Sequence, residues 1–283
     1  MIISVIIPIY KGKKYIAGLT SIFKNNLKKL KGDFSLEVIF VNDYPEEDLT
    51  LTIDDAKEHF SDGRMELRCI NNTVNCGIHL SRIKGIKESV GEYVFMLDQD
   101  DKIREDYLSS QLACIGNADL VVANGITELP AGNRQLYKFG IMQETVKSAW
   151  FNSVFNCRIT SPGQCLIRKT AIPKEWLDNP VKNNGSDDYM LWLMMLSKGV
   201  KISLNRKPVY IHCYTGNNTS LDNGLINKSV REVLRIGRET KSIKKRYIKL
   251  IEKRLMHETG EKRSLFYSLE EFARGVGERM NKI

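Results

Sequence analysis

The chain opens on Ile2–Ile9, a run apolar at almost every position, and its next hydrophobics, Ile16, Leu19, Phe23, Leu27 and Leu30, fall at helical spacing. A run without a polar face belongs to a strand covered on both sides. The alternation continues. Leu36–Val41 is a second buried run, and Leu49, Ile53, Ala56 and Phe60 mark a second helix. Met65–Ile70 reads as a weaker strand. Ile83, Ile86 and Val90 stripe a helix that the spacing stops at Gly91. Tyr93–Leu97 is the next strand, and Asp119–Ala123 another after a short helix. Strands and helices in strict alternation predict an α/β fold: a mixed, mostly parallel central sheet flanked by helices.

Residues 125–165 lose this rhythm and read as loops and short elements that shape a pocket. Gln164–Arg168 then reads as a strand, Asp187–Lys198 as a strongly apolar helix ended by Gly199, and Pro208–Tyr214 as a last short strand. From Leu225 the pattern is helical. Ile243, Tyr247, Leu250, Ile251 and Leu255 share one face, with seven Lys and Arg between 241 and 254 around the rest.

Composition excludes several classes. At 42% hydrophobic and 27% charged, the chain is that of an ordinary globular protein. Six scattered cysteines form no CxxC pair, which argues against structural zinc and a disulfide framework and fits a reducing, cytoplasmic compartment. The apolar N-terminus lacks a basic n-region and a cleavage site, so it does not read as a signal peptide. No stretch approaches the roughly 20 apolar residues of a membrane span. The net charge of +9 favours anionic partners. Nucleic acid is not expected among them, because no recognition motif or basic–aromatic interleaving is present.

Four polar constellations sit where such a fold places chemistry. Asp98-Gln99-Asp100-Asp101 follows the strand Tyr93–Leu97, at the end of an open α/β sheet where ligands bind. Clustered hard oxygen donors there suit Mg²⁺ or Mn²⁺ and, through it, a phosphorylated substrate; a capped strand-to-helix turn is the plainer alternative. Asn42-Asp43 ends the second strand, able to accept hydrogen bonds from a base or ribose or merely to turn the chain. Asn75-Cys76-Gly77, with Arg82 on the following helix, allows close approach of a phosphate, though an arginine there is commonly a surface charge. Ser186-Asp187-Asp188 opens the apolar helix, either as a dipole-stabilised cap or as the source of a general base. His212 is a lone histidine on a short strand, structural or metal-ligating.

In their order, these motifs resemble glycosyltransferase family 2. Ser4-Val5-Ile6-Ile7-Pro8-Ile9-Tyr10 is similar to that family's first strand, Val41-Asn42-Asp43 to its Val-Asp-Asp, and Asn75-x-Gly77 with Ser81-Arg82 to its middle motif. Gly91-Glu92-Tyr93 through Asp98-Gln99-Asp100-Asp101 resembles its Gly-Glu-Tyr…Asp-x-Asp-Asp signature, and Asp187-Asp188-Tyr189 its Glu-Asp-Tyr segment. The resemblance covers roughly residues 1–215. It implies a GT-A (Rossmann-like) fold, a nucleotide-sugar donor, Mn²⁺ or Mg²⁺, and inversion at the anomeric carbon. Donor-binding residues would be Pro8, Tyr10, Asp43, Asn75, Gly77, Arg82, Asp98 and Gln99. Asp98, Asp100 and His212 would hold the metal. Asp188 would be the base, with Asp187 the second acidic candidate.

The implied organisation is a catalytic domain over 1–220, with a nucleotide-sugar-binding half (1–125) and an acceptor-side half (126–220), then a basic helical extension over 221–283. The implied acceptor is a glycan or a lipid-linked glycan of bacterial surface polysaccharide synthesis, worked on at the cytoplasmic membrane face, with 241–254 touching anionic lipid. Departures from the family pattern are Asn42 for its first Asp, Tyr44-Pro45 for Gly-Ser, Ile83 where Asn often follows the Arg, and Asp187 for Glu. Two other classes compete. A metal-dependent nucleotidyltransferase would need a Gly-rich basic loop, of which Gly12-Lys13-Lys14 is the nearest approach. A non-enzymatic membrane-surface module would rest on the +9 charge and the basic 241–254 segment.

Overall fold

A computed structural model of the chain describes residues 1–59, 63–130, 132–216 and 222–258. Phe60, placed on the second helix by its spacing, lies outside them, as do the 220/221 domain boundary and the end of the basic extension. In chain order the elements are β1 (Ile2–Ile9), α1 (Ile16–Lys29), β2 (Ser35–Asn42), α2 (Thr50–His59), β3 (Met65–Asn71), α3 (Ile78–Glu88) and β4 (Tyr93–Met96). There follow β5 (Lys102–Ile103), α4 (Tyr107–Ile115), β6 (Leu120–Glu128), β7 (Arg134–Gln135), α5 (Gly140–Glu144) and α6 (Ala149–Val154). The last are β8 (Cys165–Arg168), α7 (Lys174–Asp178), α8 (Asp187–Lys198), β9 (Ile202–Cys213), α9 (Asn223–Glu239) and α10 (Lys245–Glu258).

The strands form one sheet in the order β3-β2-β1-β4-β8-β6-β9-β5, with β7 paired to β6. The first four are parallel; β8 enters antiparallel to both β4 and β6, so the sheet is mixed, as expected. Strand β6 runs through residues 125 and 126, so both sequence halves share this sheet. Alternate residues of each strand feed two cores. Ile6, Ile39, Val41, Val94 and Met96 face α3, α8, α9 and α10, while Val5, Ile7, Val38, Phe40 and Phe95 face α1, α2 and α4. Burial of each such side chain contributes about 1.5–3 kcal/mol, which is why a central strand tolerates no polar face.

Helix α8 spans the predicted residues and ends in a left-handed Gly199 (φ 80). Met190 to Met195 are all buried, so this helix is core on almost every side. The stripe of α10 packs inward too: Tyr247, Ile248, Ile251 and Leu255 join the α8 core. Among the described residues no helix is long and apolar enough to cross a membrane.

Three elements differ from expectation. The strand expected over Asp119–Ala123 runs from Leu120 to Glu128, into residues read as loop, because β9 and β7 pair with its second half. Helix α3 ends at Glu88, with Ser89 already extended, and Val90 is 67% exposed rather than on the stripe. Gly91 is therefore no helix stop. Its amide donates to Ser4 Oγ at 2.8 Å, and a Cβ would lie 2.7 Å from the Ser4 backbone nitrogen. Glycine is needed there because β1 passes too close. The last strand, expected over Pro208–Tyr214, starts at Ile202 and ends at Cys213. The register shifts opposite Asn124 and Gly125, a bulge that absorbs the proline's missing amide.

Candidate active site

Strands β1 and β4 are neighbours whose connections leave in opposite directions, which opens a crevice beyond their C-terminal ends. A cleft of ≈ 640 Å³ lies there. The twelve residues to which the resemblance gave donor, metal or base roles line it: Pro8, Tyr10, Asp43, Asn75, Gly77, Arg82, Asp98, Gln99, Asp100, Asp187, Asp188 and His212; Asn42, Cys76, Asp101 and Ser186 of the same constellations do not. Five of the twelve are carboxylates and one is an arginine, so acidic groups outnumber basic ones in its lining.

Beyond β2, Asp43 is 4% exposed. Its Oδ1 accepts from Cys76 N (2.7 Å) and Asn72 Nδ2 (2.8 Å), and its Oδ2 from Gly77 N (2.9 Å). Asp43 thus builds the 75–77 loop as well as lining the cleft. Gly77 has φ 85 and ψ 164, a region essentially reserved for glycine, and a Cβ would sit 2.9 Å from Asn184 Oδ1. Gly77→Ala is expected to lower stability by about 1–3 kcal/mol. Thermal melts check this; an unchanged melting temperature would contradict it.

At the β4 end the Gln99 amide clasps the Tyr10 backbone, accepting from its N–H (3.0 Å) and donating to its C=O (3.1 Å). This ties the tips of β1 and β4 together. Tyr10 stays 44% exposed on the rim, edge-on to Tyr44, with the Lys11 ammonium over both rings. Asp100 has no ion-pair partner among the described residues. Burial, then the charges of Asp101 and Asp98, push its carboxyl up to about 6.

Arg82 is not a surface charge. It is 3% exposed and donates from Nη1 to Asp187 Oδ2 (2.6 Å) and from Nη2 to Asp98 Oδ1. Burial opposes its charge, but Asp187 and Asp98 outweigh burial and hold the proton firmly. The same contact distinguishes the two vicinal acids. Burial would raise Asp187, yet Arg82 holds it below the ordinary carboxylate range. Asp188 is half-buried and, among the described residues, accepts only its neighbour's amide, Tyr189 N, at 2.6 Å. Burial, then the charge of Asp187, pushes it up to about 7. A carboxylate poised there can take a proton at neutral pH.

His212 lines the cleft, while Asp101 behind it is 2% exposed. Among the described residues no group of three or more His, Cys, Asp or Glu is arranged to hold a metal ion by itself. Asp98 has Oδ1 on Arg82, and Asp101 faces Tyr210, His212 and Cys213. Asp100, His212 and the second oxygen of Asp98, which among the described residues meets only Ser161 Oγ at 3.4 Å, remain. So few protein ligands suit a Mg²⁺ or Mn²⁺ ion completed by phosphate oxygens and water, rather than an all-protein cage.

Sequence reading did not single out Ser161, Pro162, Asn184 or Gly185, which also line the cleft. Ser161 Oγ lies 3.4 Å from both Asp98 and Asp101 and caps the turn at Gly163. The Ser-Pro-Gly and Asn-Asn-Gly turns were the available signals, but a turn motif does not say which strand end it will face.

A family model described as glycosyl transferase family 2 matches residues 4–174. No curated protein matches the sequence. Among solved structures, S. aureus TarS 1-349 in complex with UDP-GlcNAc superposes with TM-score 0.58 at 19% identity, over 83% of this chain and 66% of that one. The same protein in complex with UDP gives TM-score 0.57 at 19% identity, over 83% and 65%. The chain thus spans about two thirds of these relatives, and at this identity the likeness establishes the GT-A fold alone. With the family match running through more than half of its length, from β1 into α7, this chain belongs to glycosyl transferase family 2.

Proposed function

We propose that the protein is an inverting glycosyltransferase that moves a sugar from a nucleoside-diphosphate donor, UDP-sugar by default, to an acceptor hydroxyl. The observation that carries this is the convergence of Asp98, Asp100, Asp188 and His212 on one cleft at the sheet's switch point. The UDP and UDP-GlcNAc bound by TarS in its structures support a uridine donor. Asp188 accepts the acceptor's proton as its oxygen attacks the anomeric carbon. The bond from that carbon to the diphosphate oxygen breaks on the opposite face, and the nucleoside diphosphate departs. Tyr10 and the 75–77 loop held by Asp43 frame the nucleotide. A divalent cation at Asp100 and His212, when bound, would neutralise the leaving diphosphate. The test is a panel of nucleotide sugars with Mn²⁺, scored for released nucleoside diphosphate with and without acceptors; release from none of them would refute the assignment.

The nucleotidyltransferase alternative, which shares the acidic cleft, lacks the basic loop it would need. Lys13 and Lys14 do not line the cleft, and Gly12 packs against Gln99 instead. For the acceptor, a glycan or lipid-linked glycan of a bacterial surface polysaccharide is supported by the family resemblance. Lys241, Lys244, Lys245, Arg246, Lys249 and Lys253 are exposed while the stripe beneath them is buried. Contact with an anionic membrane would then be electrostatic, without insertion. Pelleting with phosphatidylserine vesicles is expected at low salt and not at 0.5 M, roughly a 4 Å screening length. Equal pelleting with neutral vesicles would argue against this face.

A further inference from the structure

The proton bookkeeping around His212 carries a step beyond the assigned roles. Asp101 is buried, and every group facing it can donate: Cys213 N–H to Oδ1 at 3.0 Å, the Tyr210 hydroxyl and, at 3.4 Å, Ser161 Oγ to Oδ2. His212 Nδ1 lies 3.1 Å from Asp101 Oδ1 and 3.2 Å from the Tyr210 oxygen. The single Tyr210 hydrogen points to Asp101, so its oxygen can only accept from the ring. Nδ1 thus faces two acceptors. In the neutral ring it must carry the hydrogen, which leaves the lone pair on Nε2, at the edge away from Asp101.

We infer that Asp101 is a positioning residue: it locks His212 with the proton on Nδ1 and presents Nε2 to the cleft as a ligand for a divalent cation shared with the donor's diphosphate. The ligand part rests on the proposed transferase reading; the tautomer does not. A carboxylate behind a histidine is the usual means of orienting a metal-binding ring. Asp101 therefore works behind His212, although the sequence places it beside Asp100. The protein contains its own reference. His79, 1% exposed, accepts Val181 N–H on Nδ1 at 2.8 Å and must carry its hydrogen on Nε2.

Long-range proton–nitrogen correlation on the ¹⁵N-labelled full chain at pH 8 reads both rings directly, with His212→Gln used for assignment. The expected result is opposite tautomers, Nδ1–H for His212 and Nε2–H for His79. An Nε2–H His212 overturns the inference in the wild-type protein, whether or not any variant folds. Asp101→Asn is expected to disturb the His212 tautomer and to weaken Mn²⁺ binding about 10–100-fold, measured by calorimetry with inorganic pyrophosphate, which presupposes no base. Unchanged Mn²⁺ affinity in folded Asp101→Asn also overturns it. Failure of every nucleotide sugar in the release assay would remove the transferase reading and leave both of these measurements standing.

Discussion

Replacing Asp188 with asparagine is expected to lower kcat by about two to four orders of magnitude, the range of a lost general base, with donor affinity retained. The amide keeps the shape of the side chain and its acceptor oxygen for Tyr189 N, but it cannot take a proton. The pH profile gives a second readout. Asp188 is held at about 7, and only its ionised form is a base, so wild-type kcat climbs as pH rises through 7 and then levels. That limb should be missing from the residual activity of Asp188→Asn. Stability runs the other way. A carboxyl raised in the fold contributes stability below its ordinary value of 3.8, and that contribution is lost as pH rises through about 7. The active, ionised form is the less stable one, so the asparagine variant should melt higher than wild type at pH 8. Near-normal turnover would remove Asp188 as the base.

Replacing Arg82 with methionine is expected to reduce the free energy of unfolding by about 3–5 kcal/mol, the cost of leaving a buried charge unpaired. Arg82 and Asp187 side chains are each 4% exposed, and Asp98 shares the same guanidinium at 26%. Arg82→Lys keeps a charge but not a fork that reaches two carboxylates, so it should fall between the two. The pH sign follows from Asp187. Its folded value is lowered, so its pairing stabilises the protein above the ordinary value of 3.8 and is lost as pH falls through the folded value beneath it. Urea denaturation should therefore show a large gap between wild type and Arg82→Met near pH 8 that narrows below pH 4. A gap under about 1 kcal/mol at pH 8, the size of an exposed pair, would show that Arg82 is not the counter-charge of the site.

Much of the fold was legible because its signals are local. Uninterrupted Val/Ile runs mark central strands, and the acids after Val41 and Leu97 fall at strand ends by chain direction alone. Helix α8 could be read to the residue because an acidic start, an apolar middle and Gly199 agree with one another. Gly91 misled because a glycine permits two things, a helix stop and a close approach, and only Ser4 on a strand 87 residues away decides between them. The first part of β9 was hidden because Ser203, Asn205, Arg206 and Lys207 form a polar run, and its partner β6 supplies the hydrogen bonds that composition does not advertise.

Taken alone, the order of residues determined that a mixed, mostly parallel sheet would form and that its C-terminal edge would be acidic, since both follow from hydrophobic period and from which side chain ends each run. It could not decide what each acid does there, because a carboxylate's charge depends on its nearest partner through space. Arg82 reaches across 105 positions to hold Asp187 ionised, while the adjoining Asp188, without that partner, is pushed up to about 7. Tyr210 and His212 turn Asp101 away from the cleft its neighbour Asp100 faces. Adjacent residues of one type acquire opposite roles only when the chain folds, because the groups that neutralise or desolvate them arrive from other strands and helices.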